Sequence, residues 1–363
     1  MPTSRVPVPS VRSEVRDYPQ AAAGSSGQVG LPAGRLTGMD ASPLTLDDDL
    51  DEWFALQRTR VEPSTWDSYV TSLRAYVPPY LGQVPLASLT VRMLDLHDVR
   101  LLESGGRRDQ RLERRTVGYA HSILRKALND VVLAGLLDEN VALRATVPRL
   151  DPAADLLPAQ VVVWSEEQAR RFLELSVDHD LADLWRVALS TGMRRGELLG
   201  LRWQDVDLAA PQVRISVALA HTSAGPRLKA PKSGRGRTIH LDEHTADVLD
   251  RQPRREGSWP LVFADADGAP LVPSRVSDRW RFQWPGLQLP KIRLHGLRHT
   301  HATLLLAKGV PIKVVSERLG HSTIAMTMDT YAHVLPAQDR DAATAIASAL
   351  GCQRAGPRAS PPG

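Results

Sequence analysis

Phosphate chemistry is what the polar residues of this chain first suggest. From His295 to Tyr331 the sequence reads HGLRHTHATLLLAKGVPIKVVSERLGHSTIAMTMDTY. His295 and Arg298 stand three apart, so on a helix they share a face and can converge on one ligand. A Leu-Gly turn would present His321, and Tyr331 lies ten residues further on. A phenol can attack phosphorus while cationic donors hold the anion. Upstream, Arg194 opens a helix directly after Thr191-Gly192, where unpaired backbone N–H groups add to its fork of donors. Glu197 would hold that guanidinium one turn on, although a plain surface Arg194–Glu197 pair is the bland alternative. Lys232 lies in PKSGRGR, between two strands of what reads as a long hairpin. Five basic residues and no acid run from Arg227 to Arg237. A Lys there could enter a DNA groove or protonate a leaving alkoxide. Lys229 competes for that role, and a merely basic loop is the other reading.

His295 and His299 also have the spacing of a helical zinc pair. Gly296 stands where a metalloprotease motif needs Glu, and no third ligand is evident. No metal and no cofactor are expected, and His299 and His301 are set aside.

The elements that must position these residues can be read from periodicity. Residues 1–44 are rich in Pro, Gly, Ala and Ser and are expected to be a disordered tail, or the product of a misassigned start. Residues 45–143 form a small helical domain. Leu50, Trp53, Phe54 and Leu56 mark a first helical face. A second helix carries Trp66, Tyr69, Leu73 and Tyr76, and Pro78-Pro79 ends it. Val117, Ala120, Ile123, Leu124, Ala127 and Val131 line a long later helix, with Gly135 as its stop. Seven Arg or Lys against two acids lie between Gly105 and Lys126, either a solvated face or a surface for a phosphate backbone. Residues 144–160, with three prolines, read as a linker. A larger α+β domain spans 161–335. Ser165 and Gln168 make a capping box. Alternating Val213, Ile215, Val217 and Leu219 predict one strand, and Thr238 to Leu241 another. Gly309 and Pro311 separate two helices, the second packed through Val314, Val315 and Leu319. Residues 336–363 are a tail in which Ile346 and Leu350 could line a short amphipathic helix. The fold class is mainly α with a small antiparallel β-sheet.

Bulk properties narrow the classes. The single cysteine excludes a disulfide framework and a cysteine-built zinc site. No apolar run reaches the roughly 18 residues of a membrane span. No signal core opens the chain, so a cytoplasmic protein is expected. A net charge of +4 is too small to argue for nucleic acid by itself, so the local clusters carry that argument.

In order and spacing these residues resemble the tyrosine recombinase, or phage integrase, family. The matching motifs are TGMRRGELLGLRWQDVD, the Lys in PKSGRGR, HGLRHTHAT, LGHS, and Tyr331 in MTMDTYAHV. PSTWDSYVTSLRAYVPPYLGQVPLASLT looks like the family's N-terminal helical core-binding domain, so the likeness runs from about Leu44 to Leu335. The resemblance implies a catalytic set of Arg194, Lys232, His295, Arg298, His321 and Tyr331, with Glu197 supporting. Tyr331 would form a 3′-phosphotyrosyl link to DNA and release a 5′-hydroxyl, with no metal or ATP. The resemblance further implies double-stranded recombination sites as partner, a homotetramer on two sites, and DNA-bending accessory proteins. A nucleoid-associated location and a role in integrating or excising a mobile element follow from it. A type IB topoisomerase and a non-catalytic DNA-binding protein are the alternatives.

Overall fold

The computed structural model describes residues 43–149, 162–231, 234, 236–255, 259–282, 288–331, 344 and 346–350, with Arg107, Asp329, Thr330 and Tyr331 described by their backbone only. The expected tail at 1–44 lies outside these residues except for its last two. So do most of the linker and most of the C-terminal tail. The described residues from Leu44 onward group into one compact unit. The chain is mainly α-helical with small antiparallel sheets.

The N-terminal half is helical. Thr45 caps α1 (Leu46–Arg60) in a capping box with Asp48. Pro63 takes the first position of α2 (Pro63–Tyr76). Pro78-Pro79 ends α2 and then opens one further turn, α3 (Pro78–Leu81), because proline is tolerated where the first helical N–H has no partner. Thr90 caps α4 (Val91–Ser104), and α5 (Arg114–Leu133) is the spine of this half. All six residues expected along one side of α5 are buried. The core gathers Leu46, Leu50, Leu73, Leu94, Leu124 and Leu128. One expected core residue is displaced: Leu56 is 53% exposed, while Gln57 is 2% exposed. Positions 46, 50, 53 and 57 keep the helical period. Gln57 is tolerated inside because its amide donates to Asp130 (3.0 Å) and accepts from Lys126 (3.3 Å).

The C-terminal half is built on an aromatic cluster. It begins at Trp164, before α6 (Glu166–Leu175), whose Ser165–Gln168 capping box forms as expected. Trp164 meets Phe172 at 4.8 Å between ring centroids. Trp185 of α7 (Ala182–Thr191) meets Trp280 at 5.1 Å. The Trp164 indole donates to Pro290 O and the Trp280 indole to Ile292 O, both at 2.8 Å. These bonds fix the segment leading toward His295. After α8 (Arg195–Leu199) come β1 (Val206–Asp207), β2 (Gln212–Ile215), β3 (Ala218–Thr222), β4 (Gly225–Lys229) and β5 (Arg237–His240). Then follow α9 (Glu243–Asp250), α10 (Pro273–Phe282), α11 (Gly296–Ala307), α12 (Ile312–Leu319) and α13 (Ile324–Tyr331).

Two expectations about the strands are corrected. Val213 to Leu219 is not one strand: β2 joins a three-stranded sheet of order β1-β2-β5, and β3 pairs with β4 in a separate sheet. The chain leaves the first sheet at Ser216, whose hydroxyl accepts from Arg202 and donates to Asp205. The strands that flank Lys232 in sequence do not form a hairpin with each other: β4 pairs with β3, and β5 with β2. The hairpin is β3–β4, Thr222 pairing with Gly225, and its tip is Ser223-Ala224. Lys232 falls in the connection from β4 to β5, outside the described residues. The tip rests on α2, where Asp67 accepts from Ser223 N (3.0 Å) and Oγ (2.7 Å). Lys229, the competing candidate, donates to Ser64 Oγ at 3.0 Å. On α12, Val315 and Leu319 are buried but Val314 is 48% exposed.

Asp49 sits in the helical core with no hydrogen-bond partner for Oδ2. Burial, then Glu52 and Asp130, push its carboxyl up to about 6 from 3.8. Ionisation therefore costs stability above pH 6, and the cost fades as pH falls through the interval between the two values. Asp49→Asn is expected to stabilise the fold by about 1–2 kcal/mol at pH 7.5 and by almost nothing at pH 4. Urea unfolding at the two pH values checks this, and an equal effect at both would contradict it.

Candidate active site

The site forms where α7, α8, α11 and α12 end or begin. α7 stops because Gly192 turns left-handed at φ 65°. A Cβ there would stand 2.6 Å from the His301 ring. The next residues place Arg194 as the N-cap of α8. α12 stops in the same way at Gly320, φ 67°, and releases His321.

Arg298, on the first turn of α11, is 3% exposed. It donates to Gly192 O at 2.7 Å and to Leu319 O at 2.8 Å, tying the ends of α7 and α12 together. Arg194 donates to Gly320 O (2.9 Å) and, more distantly, to Leu319 O (3.4 Å). Its Nη1 also donates to Glu197 Oε1 at 2.9 Å, while its backbone N–H donates to Oε2 at 2.9 Å. Arg194 keeps about a quarter of its side chain open to solvent, at 24%. The two arginines therefore meet at the α12 C-terminus, one locked and one accessible. A helix C-terminus attracts cations, which favours this placement.

Glu197 is buried, and it has a second guanidinium. Arg237 Nη1 and Nη2 reach its two oxygens at 3.1 and 2.7 Å. Burial alone would raise this carboxyl, but Arg237, the Arg194 N–H and the Arg194 charge hold it below its usual value. Arg237 did not stand out in the sequence beyond its membership of a basic run. The available signal was its alternation with buried Ile239 in β5, which turns both residues inward.

His321 is half-buried, and Nδ1 lies 2.7 Å from Thr327 Oγ1. The Thr327 hydroxyl can donate to Nδ1, which leaves the ring proton on Nε2. Thr327 was not singled out from sequence. Burial, then Arg298 and Arg194, lower the His321 imidazole to about 4. His295 caps the start of α11 and meets His299 edge-on at 4.9 Å between ring centroids. His295 is lowered as well, first by desolvation and then by His299, Arg298 and Arg194, although the residue is exposed at the surface.

His301 is structural. Its Nδ1 meets Leu189 O at 2.8 Å, and Arg318 donates to Nε2 at 3.2 Å. Among the described residues no group of three or more His, Cys, Asp or Glu is placed to hold a metal. Arg194, Glu197, Arg298 and His321 come together, and His295 lies close enough for its charge state to feel both arginines. Arg195, Arg281, Lys291 and Arg293 line a cleft that also touches Arg194 and His295. α13 packs on α12 and ends at Tyr331, so the backbone of that residue sits eleven residues past Gly320. Such an arrangement can bind an oxyanion and stabilise charge growing on it.

Comparison with known proteins matches residues 164–338 to the phage integrase family and residues 45–95 to the phage integrase N-terminal SAM-like domain. A tyrosine recombinase XerC-like protein of Caldanaerobacter subterraneus is 25% identical over 330 residues, covering 84% of this chain and 83% of that protein. An integrase of Streptomyces ambofaciens is 26% identical over 307 residues, covering 79% and 76%. The fold resembles the Tn1549 transposon integrase solved with transposon right end DNA, at TM-score 0.67 and 20% identity, over 84% of this chain and all of that one (100%). It also resembles the lambda integrase tetramer solved on a Holliday junction, at TM-score 0.59 and 18% identity, over 77% and 78%.

The lowered imidazoles have a direct consequence. His321 should titrate near pH 4 and His301, lowered to about 3 chiefly by burial, below it, so both are neutral at pH 7. The unfolded chain takes up protons near pH 6.5 before the folded chain does, so each group lowers stability as pH falls from there toward 4. Histidine side-chain NMR of the free protein measures the midpoints, and a His321 midpoint near 6.5 would contradict the expectation.

Proposed function

The chain belongs to the phage integrase family of tyrosine recombinases, and from that premise we propose that it cuts and rejoins double-stranded DNA at specific sites to integrate or excise a mobile element. The observation that carries this reading is the convergence of Arg194 and Arg298 on the Leu319–Gly320 carbonyls that lead into His321. Three groups suited to one phosphate stand there on separate elements.

In the reaction, Tyr331 Oη attacks the scissile phosphorus and forms a P–O bond. The P–O5′ bond breaks, and the 5′-oxygen leaves. The phenol proton passes to His295, whose imidazole is neutral at pH 7 and so free to accept it. Lys232 gives its proton to the leaving 5′-oxygen. Arg298 and Arg194 meet the two non-bridging oxygens as charge grows on them, and His321 donates through Nε2. Glu197 orients Arg194. The phosphotyrosyl bond stores the energy of the cut, so resealing reverses the same steps without ATP. The helical half, with the basic stretch along α5, and the C-terminal half would hold the duplex between them. Four copies on two sites would complete exchange, with DNA-bending proteins assisting where the site needs shaping.

Fragments of the DNA flanking the chain's own gene serve as the substrate pool. The wild-type protein is expected to become covalently attached to DNA in denaturing gels. Tyr331→Phe should lose that attachment and keep DNA binding within about twofold, since the hydroxyl carries chemistry and not affinity. Attachment by the Phe variant would remove Tyr331 as nucleophile.

A further inference from the structure

Glu197 is a buried carboxylate with two guanidiniums, and one of them is also assigned to the phosphate. Arg194 cannot serve both partners equally. Its Nη1 is taken by Glu197 and its Nη2 by Gly320 O, yet it is the more exposed member of the trio. Arg237 is fixed differently. Its side chain is 9% exposed, both its terminal nitrogens bond Glu197, and its Nε donates to Arg318 O at 2.7 Å. It also lies under the Gly320 turn, where an added Cβ would come within 2.8 Å of Nη1. All three of its donor nitrogens are thus spent on the protein.

We propose that Arg237 is a positioning residue: it is the permanent counter-ion of Glu197, and its charge lets Arg194 turn from Glu197 to a phosphate oxygen without leaving a bare buried carboxylate. A lone buried carboxylate holds its last partner tightly and repels an incoming anion. With Arg237 in place, the four groups Arg194, Arg237, Arg298 and Glu197 sum to two positive charges. Without it they sum to one, and Glu197 keeps Arg194 to itself. Arg237 also braces the turn that presents His321, through Arg318 O and Gly320, so it connects the two sides of the oxyanion site. Its charge is among those that hold the His321 imidazole down.

This inference rests on the recombinase reading only for the identity of the anion. The experiment therefore uses inorganic phosphate with the full-length protein, followed through the His321 ring resonances. Arg237→Gln is expected to weaken phosphate binding by about tenfold or more, the worth of one charge-assisted contact. Its His321 midpoint should also rise. The double variant Arg237→Gln/Glu197→Gln should bind within about threefold of wild type, because the carboxylate that captured Arg194 is gone. A purely structural Arg237 would leave the double variant no better than the single one, and that result would overturn the proposal. So would Arg237→Gln binding like wild type, or a wild-type protein whose His321 resonances ignore phosphate. If Arg237→Gln does not fold, Arg237→Lys takes its place. Lysine keeps the charge but cannot span both Glu197 oxygens and Arg318 O, so a loss of several-fold is expected, again relieved by Glu197→Gln. If phosphate behaves as expected while the wild-type protein never attaches to DNA, the recombinase reading fails and the role of Arg237 stands.

Discussion

A carboxylate cut off from water must find all its hydrogen bonds in the protein, and Glu197 does. Three guanidinium N–H groups and one backbone N–H surround its two oxygens. Burying such a group is costly unless every lone pair is met, and removing one partner costs far more than the pair contributes as a whole. Much of the surrounding architecture serves this one requirement. α8 must start where Arg194 can cap it, and β5 must begin where Arg237 can reach inward. The β1-β2-β5 sheet then carries Arg237 to the foot of α12.

The end of α12 is the second organising element. Its last carbonyls, from Arg318, Leu319 and Gly320, accept from Arg237, Arg298 and Arg194 in turn. Three cations around one helix C-terminus would repel each other in isolation. The carbonyl dipoles and the Glu197 charge offset that repulsion and leave a surplus facing solvent. That surplus is what a phosphate would meet. The imidazoles of His295 and His321 stay neutral first because they are desolvated, and then because a further proton there would add to an already positive site.

Much of this was legible in the sequence because it depends on local rules. The Ser165–Gln168 box and the glycine turns at 192 and 320 act within a few residues, and spacing reveals them. The six buried residues of α5 follow from a period of 3.6. What was missed depends on partners far along the chain. Gln57 replaced Leu56 inside because Asp130 and Lys126 satisfy its amide. Ser216 ended β2 because Arg202 and Asp205 hold its hydroxyl. Arg237 looked like one more base in a basic run, since its partner lies 40 residues upstream. Of the six residues assigned to catalysis by resemblance, Arg194, Arg298, His321 and His295 have described side chains near one another. Lys232 and the Tyr331 side chain lie outside what is described.

The hairpin tip that rests on α2 carries a different kind of consequence. Asp67 binds Ser223 twice and Ser64 binds Lys229, so the helical half and the β3–β4 hairpin share a small polar contact. A contact of this size is worth little against bulk solvent, yet it places the two halves in thermodynamic linkage. Any ligand that binds more tightly when α2 and the hairpin touch must strengthen their contact by the same factor. Any ligand that needs them apart must overcome it. The free energy of gripping a duplex would therefore be shared, in part, with these three hydrogen bonds.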